Sequence, residues 1–320
     1  MTLAWGVVAT GRIARDVGRV IAAHPEMDVA AVGSRDGRRA AELAAALGAP
    51  RSHASYEALV ADASVDAVYV ATPHAQHAAV VEAALLAGKA VLCEKPLTHS
   101  LVETERLVSV ARGSGAFLME AMWMRFNPLV QHLQSLVRAG GLGAPRALHA
   151  SFGFAAPYDP TARLWDPALG GGALLDLGVY TVGLARLLLG SPTQVETTGS
   201  LTPSGVDRES TVTLCFDSGA RALLSQSLVS RLPGNAVVVG DRGWAELSPS
   251  FHAPTRLVVQ VDDEPPVERE IADRNAGFVG ELEEVARCLA EGRTESDVMP
   301  LSETVATARV LDEARRQLSG

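Results

Sequence analysis

Between Leu3 and Glu120, short apolar runs alternate with helical stretches, and that alternation constrains this chain more than any other feature. Strands are read at Leu3–Val8, Asp28–Gly33, Ala67–Val70, the run ending at Glu94, and Ala116–Glu120. Helices are read up to Ala23 and over Arg38–Leu47, Tyr56–Ala61, Ala78–Ala87 and Leu101–Ser114. Strands joined through helices pair in parallel with right-handed crossovers, so this third of the chain predicts an open parallel sheet with helices on its faces.

The first strand runs into Ala9-Thr10-Gly11-Arg12-Ile13-Ala14 and then a helix. In this strand, tight turn, helix order, backbone N–H groups can meet a pyrophosphate. Against the G-x-G-x-x-G pattern, Ala9 replaces the first glycine and Ala14 the third; only Gly11, where backbone must come close to phosphate, is kept. A structural turn explains that stretch about as well. The end of the next strand adds a second signal. A ribose 2′-hydroxyl is usually held by an acidic residue there, roughly 20 residues past the turn. Ser34 stands there instead, with Arg35 beside it and Arg38 and Arg39 behind. A small hydroxyl with guanidinium forks suits a 2′-phosphate, so NADP is preferred over NAD. The plainer reading of Arg38 and Arg39 is that they are solvated residues opening a helix. The expected fold is a Rossmann dinucleotide-binding domain over residues 1–121.

The stretch Val91-Leu92-Cys93-Glu94-Lys95-Pro96-Leu97 carries an apolar strand into a charged pair and a proline. Only two of the chain's 28 Lys and Arg residues are lysines, Lys89 and Lys95, and both flank this strand. Arginine is always charged, whereas lysine is a compact donor whose pKa responds to burial. Lys95 pairing with Glu94 at a strand end is the ordinary interpretation. Its position beyond the carboxyl end of a parallel strand, where ligands sit in open α/β sheets, favours a functional one. His77 reads either as a cofactor neighbour or as a helix-start residue; the second suits His74 better.

Beyond Glu120 the pattern changes to a helix over Pro128–Ala139 and then many short strands, from Ala147–Phe152 to Val267–Ile271. Asp217-Ser218-Gly219 and Asp241-Arg242-Gly243 read as hairpin turns. Residues 122–320 are therefore expected to form an α+β domain with a large, mainly antiparallel sheet, its last helix (Leu301–Leu318) at the domain boundary. The alternation Val237, Val239 suggests a homodimer contact on one sheet face. Gly170-Gly171-Gly172 precede a helix in which Asp176 and Tyr180 are four residues apart, and so share a face. Three glycines would let backbone approach a ligand. Removing a hydride from a carbinol carbon requires the hydroxyl proton to leave too. Free tyrosine, at about 10, is a poor base at neutral pH, but a nearby ammonium favours the phenolate. Lys95 and Tyr180 therefore read as a tuning and proton-transferring pair, with Asp176 accepting from a substrate hydroxyl or, more plainly, complementing the helix dipole. Arg125 and Phe126 at the crossover, and Tyr158, Arg163 and Trp165 in the Pro-rich loop, are candidate substrate-side residues. His149 and His252 read as ordinary strand and loop histidines.

A net charge of -9 and a pI near 5.4 argue against nucleic acid and anionic membranes. No membrane span of about 18 apolar residues is read. The start, going directly into a strand, carries no secretory signal, so a cytoplasmic protein is expected. Cys93, Cys215 and Cys288 read as reduced core residues, and no His/Asp/Glu cluster has metal-ligand spacing.

Taken in order, Ala9–Ala14, Ser34-Arg35-Asp36, Ala71–His77 and Cys93–Leu97 resemble the Gfo/Idh/MocA oxidoreductase family. The string Glu120–Pro128 is similar to the branch that holds dimeric dihydrodiol dehydrogenase and NADP-dependent D-xylose dehydrogenase. The resemblance covers essentially the whole chain. It implies cofactor contacts from Ala9, Thr10, Gly11, Arg12 and Ile13, from Ser34, Arg35 and Arg38, from Thr72, Pro73 and His77, and from Glu94 and Lys95. It also implies that Tyr180, where many members carry histidine, is the acid/base. The expected activity is NADP-dependent hydride transfer at a carbinol carbon of a pyranose or cyclic trans-diol. A ketose or anhydro-sugar reductase is the alternative, and a non-catalytic NADP-binding sensor is the rival from another class.

Overall fold

In the computed structural model, which describes residues 2–320, the chain divides into two units. The first unit takes the chain up to Met122 together with Phe278–Val305. Its elements are β1 (Leu3–Val8), α1 (Arg12–Ala23), β2 (Met27–Gly33), α2 (Gly37–Leu47), β3 (Arg51–His53), α3 (Tyr56–Val60), β4 (Ala67–Val70), α4 (His74–Leu86), β5 (Ala90–Glu94), α5 (Leu101–Ser114) and β6 (Leu118–Ala121). The six strands pair in parallel in the order β3-β2-β1-β4-β5-β6. Strand order reverses between β1 and β4, the switch point at which doubly wound sheets bind ligands. Parallel strands covered on both faces read as continuous apolar runs, and β4 and β5 are buried throughout. Val68, Val70, Val91 and Cys93 join Leu59, Val81, Leu85 and Leu107 in one core. The short edge strand β3 escaped the sequence reading because Arg51-Ser52-His53 has no apolar run to announce it.

Ala9 sits at φ +81, in the left-handed region. The first glycine of the pattern is thus missing while the conformation it serves is retained, and an L side chain there costs about 1–2 kcal/mol. Ala9→Gly is expected to stabilise the protein by about 1 kcal/mol and raise the melting temperature by a few degrees; a lower melting temperature in a thermal scan would contradict the strain.

The sequence reading missed one long helix, α8 (Ala276–Ala290), whose Leu282, Val285 and Cys288 are buried. Gly277 and Gly280 near its start weaken the helical signal. From Phe278 to Val305 the chain packs with the first unit rather than the second. His24 meets Glu283 at 3.5 Å, Leu118 N–H donates to Thr294 O at 3.2 Å, and Leu301 joins the core. The chain thus crosses between the units more than once, where the sequence reading expected a single division at residues 121/122, and the last helix, α9 (Leu301–Ser319), contributes residues to both units.

The second unit, Trp123–Gly277 with Ala306–Gly320, holds α6 (Pro128–Arg138), β7 (Pro145–Gly153), α7 (Val179–Leu189) and β8 (Gln194–Leu201). These are followed by β9 (Asp207–Cys215), β10 (Arg221–Ser227), β11 (Ala236–Gly240), β12 (Gly243–Leu247), β13 (Arg256–Val261) and β14 (Val267–Glu270). Its eight strands run in the order β14-β13-β12-β11-β7-β10-β9-β8. Only β7 and β10 pair in parallel. The hairpin turns expected at Asp217–Gly219 and Asp241–Gly243 join β9 to β10 and β11 to β12. Alternation sends Leu148, Ala150, Leu224, Ala236 and Val238 into the core, with α7 against β7 and β10. Leu223, Val237 and Val239 point the other way, Leu223 being 43% exposed.

The segment Pro167–Leu189 is long and apolar enough by composition to cross a membrane, with mean hydropathy 1.5, but 89% of that window is buried within the protein. Asp176 and Arg186 interrupt it, so no uniform apolar run is visible in the sequence.

Candidate active site

The carboxyl ends of β1, β2, β4 and β5 bring together four of the sequence-predicted groups at one edge of the first unit's sheet: the Ala9–Ile13 turn, Ser34-Arg35, Thr72-Pro73 and Glu94-Lys95. Three helices of this unit have side-chain caps: Asp36 accepts from Arg38 N–H and Arg39 N–H, Ser55 from Ala58 N–H, and Ser100 from Glu103 N–H. By contrast α1 and α4, which flank the switch point, begin at Gly11 and Pro73 with no side-chain cap. Gly11 has φ -69, and a Cβ there would meet nothing within 4 Å. Neither backbone conformation nor a neighbour demands glycine, whereas close approach of a pyrophosphate does. The residues present therefore fit a dinucleotide. Gly11→Val is expected to leave thermal stability within about 0.5 kcal/mol and weaken dinucleotide binding by about tenfold or more, equivalent to about 1.4 kcal/mol; a fluorescence titration with unchanged affinity would contradict this fit.

At the end of β2, Ser34 is buried and its Oγ accepts from Asp36 N–H at 3.2 Å, while Arg35 is exposed. Arg38 is exposed and pairs with Glu42 at 3.7 Å, and Arg39 with Asp36 at 3.5 Å. His77 is a correction. It is fully buried, with Nε2 2.8 Å from Thr72 O and Nδ1 3.0 Å from Pro96 O. Burial lowers its pKa against the upward pull of these carbonyls, and the ring, which as a neutral imidazole donates to only one of them, is enclosed between the turn after β4 and the one after β5 rather than facing a cofactor. His74 begins α4 and packs edge-on against it.

Beneath Lys95 lies a cluster absent from the sequence reading. Glu94 accepts from Tyr69 Oη, and its Oε2 accepts from Lys95 N–H at 3.3 Å. Glu281 on α8 is fully buried, and burial, followed by the Glu94 charge, pushes its carboxyl well above the usual range. Burial and the same Glu94 charge raise the Tyr69 phenol. A neutral Glu281 and neutral Tyr69 beside Glu94 resolve the cost of placing two carboxyls together.

In the second unit, Tyr180 lies near the start of α7 and is buried. Trp123 Nε1–H donates to Tyr180 Oη at 2.7 Å. Phe152 and His252 stack at 4.4 Å between ring centroids, and His252 lies 5.1 Å from the Tyr180 ring and 5.6 Å from Trp123. Neither Trp123 nor His252 was selected from the sequence. Trp123 lies inside the Glu120–Pro128 string, in which Arg125 and Phe126 at the crossover were the expected substrate-side residues. His252 lies 72 positions from Tyr180, 100 from Phe152 and 129 from Trp123, in a loop with no motif. Indole N–H can only donate, so the phenol oxygen must accept. That bond favours the phenolate and leaves the phenolic proton for another partner.

Asp176 pairs with Arg163 at 2.8 Å, joining two of the predicted residues. The helix there is not the plain α-helix expected: Leu174–Gly178 forms a π-helical turn before α7, so the four-residue spacing to Tyr180 does not carry the α-helical face argument. Trp165 is a second correction. It is 1% exposed, its Nε1–H donates to Pro157 O at 2.8 Å, and it packs with Leu177 and Leu228. No ring face is left for a sugar, while Tyr158, 54% exposed, packs edge-on against it. Arg125 and Phe126 are buried in the short helix Trp123–Phe126. The glycines also serve the protein itself. A Cβ at Gly171 would lie 2.7 Å from Leu164 O, and one at Gly172, at φ +126, 2.2 Å from Asp207 Oδ1.

Residues 3–122 match the oxidoreductase family with an NAD-binding Rossmann fold, and residues 130–246 match the GFO/IDH/MocA C-terminal domain. A trans-1,2-dihydrobenzene-1,2-diol dehydrogenase from Mus musculus is 38% identical over 331 aligned positions, covering 99% of this chain and 97% of the relative. The chain belongs to the Gfo/Idh/MocA oxidoreductase family. Among solved structures, an aldose–aldose oxidoreductase from Caulobacter crescentus superposes with a TM-score of 0.90 at 26% identity, covering 99% of this chain and 97% of that one. A 3-ketoreductase from Actinomadura kijaniata, solved with NADP and TDP-benzene, gives 0.87 at 27% identity, covering 99% and 98%. The chain is a dehydrogenase or reductase acting on CH–OH groups, with a fold that binds a nicotinamide dinucleotide.

Proposed function

We propose that the protein is an NADP-dependent oxidoreductase that moves a hydride between the nicotinamide and a carbinol carbon of a cyclic trans-diol or pyranose. The observation that carries this reading is the indole N–H of Trp123 donating to Tyr180 Oη at 2.7 Å, inside a wall of Phe152 and His252. Bound, the cofactor supplies the carbon that gains or gives the hydride. Tyr180 takes the hydroxyl proton during oxidation and returns it during reduction. Lys95 supplies the positive charge that, with Trp123, favours the phenolate. Asp176, held by Arg163, accepts from a second hydroxyl of the substrate. Gly11 and the open turns of α1 and α4 hold the pyrophosphate, and Ser34 with Arg35 takes the 2′-phosphate. The named relatives, a diol dehydrogenase, an aldose–aldose oxidoreductase and a 3-ketoreductase, support the substrate class. A non-catalytic sensor has no use for a buried phenol with a dedicated donor. The outward row Leu223, Val237 and Val239 fits a homodimer.

The test is the near-ultraviolet absorbance of reduced nicotinamide, followed with purified protein, NADP or NAD, and a panel of cyclic diols, aldoses and the matching ketones. Turnover of a diol or sugar, much faster with NADP, is the expected result. Tight NADP binding with no turnover from either side would overturn the catalytic reading.

A further inference from the structure

Asp207, at the start of β9, has no part in the chemistry above, yet it is a carboxyl only 5% exposed. Its Oδ2 accepts from Leu174 N–H at 2.6 Å. Leu174 opens the continuous helical stretch that carries Asp176 in its π-helical turn and Tyr180 at the head of α7. Neither Ala173 nor Gly178 supplies a side-chain cap to that stretch, so the carboxyl reaches across from another strand to do so. Room for it is made by Gly172, since any Cβ there would collide with Asp207 Oδ1.

We propose that Asp207 is a positioning residue: its carboxylate caps the amino end of the Leu174–Leu189 helix and so fixes Asp176 and Tyr180 against Arg163 and Trp123. This rests on the assignment of Tyr180 as the acid/base. Burial pushes the carboxyl up to about 7, against the opposing pull of the Leu174 N–H bond and the Arg315 guanidinium on α9. The cap therefore gains its charge as pH rises through neutrality, and an ionised carboxyl is the stronger acceptor. A cap that strengthens with ionisation ties the geometry of the proton-transfer group to pH.

The test compares Asp207→Ala and Asp207→Asn with the wild type. Displacement of a reacting group by about 1 Å costs up to about a hundredfold, so Asp207→Ala should lower kcat by about ten- to a hundredfold while the KM for NADP is unchanged. Asp207→Asn keeps a carbonyl acceptor and should recover most of kcat, but lose the rise in activity through about pH 7. Should Asp207→Ala fail to fold, the loss of that rise in Asp207→Asn decides the matter. A second readout does not need turnover: the phenolate absorbance of Tyr180, obtained by subtracting a Tyr180→Phe background. Its midpoint should move upward in Asp207→Ala, where the Trp123 donor is no longer aligned, and stay near the wild-type value in Asp207→Asn, which keeps the acceptor. If the wild type turns over nothing, the functional reading fails and this titration still decides the positioning claim. Wild-type kcat, pH profile and phenol midpoint in the folded variants would overturn it.

Discussion

Tyr180→Phe is expected to lower turnover by about 10²–10⁴-fold, the usual worth of a positioned acid/base, with NADP affinity unchanged. The change deletes the one atom that can take the carbinol proton and leaves the ring packed against Phe152 and His252. Folding is spared, because the lost hydrogen bond releases a single indole N–H of a nearly buried Trp123, a penalty of about 1–3 kcal/mol. The cofactor groups belong to the other unit, so their binding gives an internal control. Steady-state kinetics beside a fluorescence titration of NADP measures both. Turnover within a factor of about two of wild type would remove Tyr180 from the proton-transfer role, since a true acid/base is worth far more.

Lys95→Met gives the second large effect, about a hundredfold in kcat/KM for oxidation near neutral pH, and its signature is in the pH dependence. In the proposed mechanism the Lys95 charge favours the phenolate, so its removal raises the pH at which Tyr180 becomes a base. The ascending limb of kcat/KM should shift to higher pH, and part of the lost activity should return in alkaline solution. Lys95→Arg should not restore the wild-type profile, because a planar, delocalised guanidinium does not replace a compact ammonium. A profile that falls uniformly at every pH would assign Lys95 to binding alone.

The first sheet was legible because buried parallel strands are continuous apolar runs, and each run at Leu3, Ala67 and Val91 stands between helices. What escaped was set by distant contacts. Helix α8 returns to the first unit through Leu282, Val285 and a buried Glu281, but its glycines mask a helical pattern. Trp165, in a Pro-rich loop that reads as exposed, is drawn under the loop by Leu177 and Leu228 from later elements. His77 read as a cofactor neighbour because nothing local reveals the carbonyls of Thr72 and Pro96 that enclose it. In the second unit, Tyr180, Asp176 and Arg163 were visible as chemistry near a glycine run, whereas Trp123, His252 and Asp207 became visible only when the sheet brought them to that helix.

The most direct measurement follows a cyclic diol or aldose deuterated at the carbinol carbon, incubated with the protein and NADP, with the reduced cofactor then recovered and its ring examined by NMR. The account predicts deuterium on the nicotinamide ring and a slower reaction with the labelled substrate. Reduced cofactor without the label would contradict direct hydride transfer from that carbon.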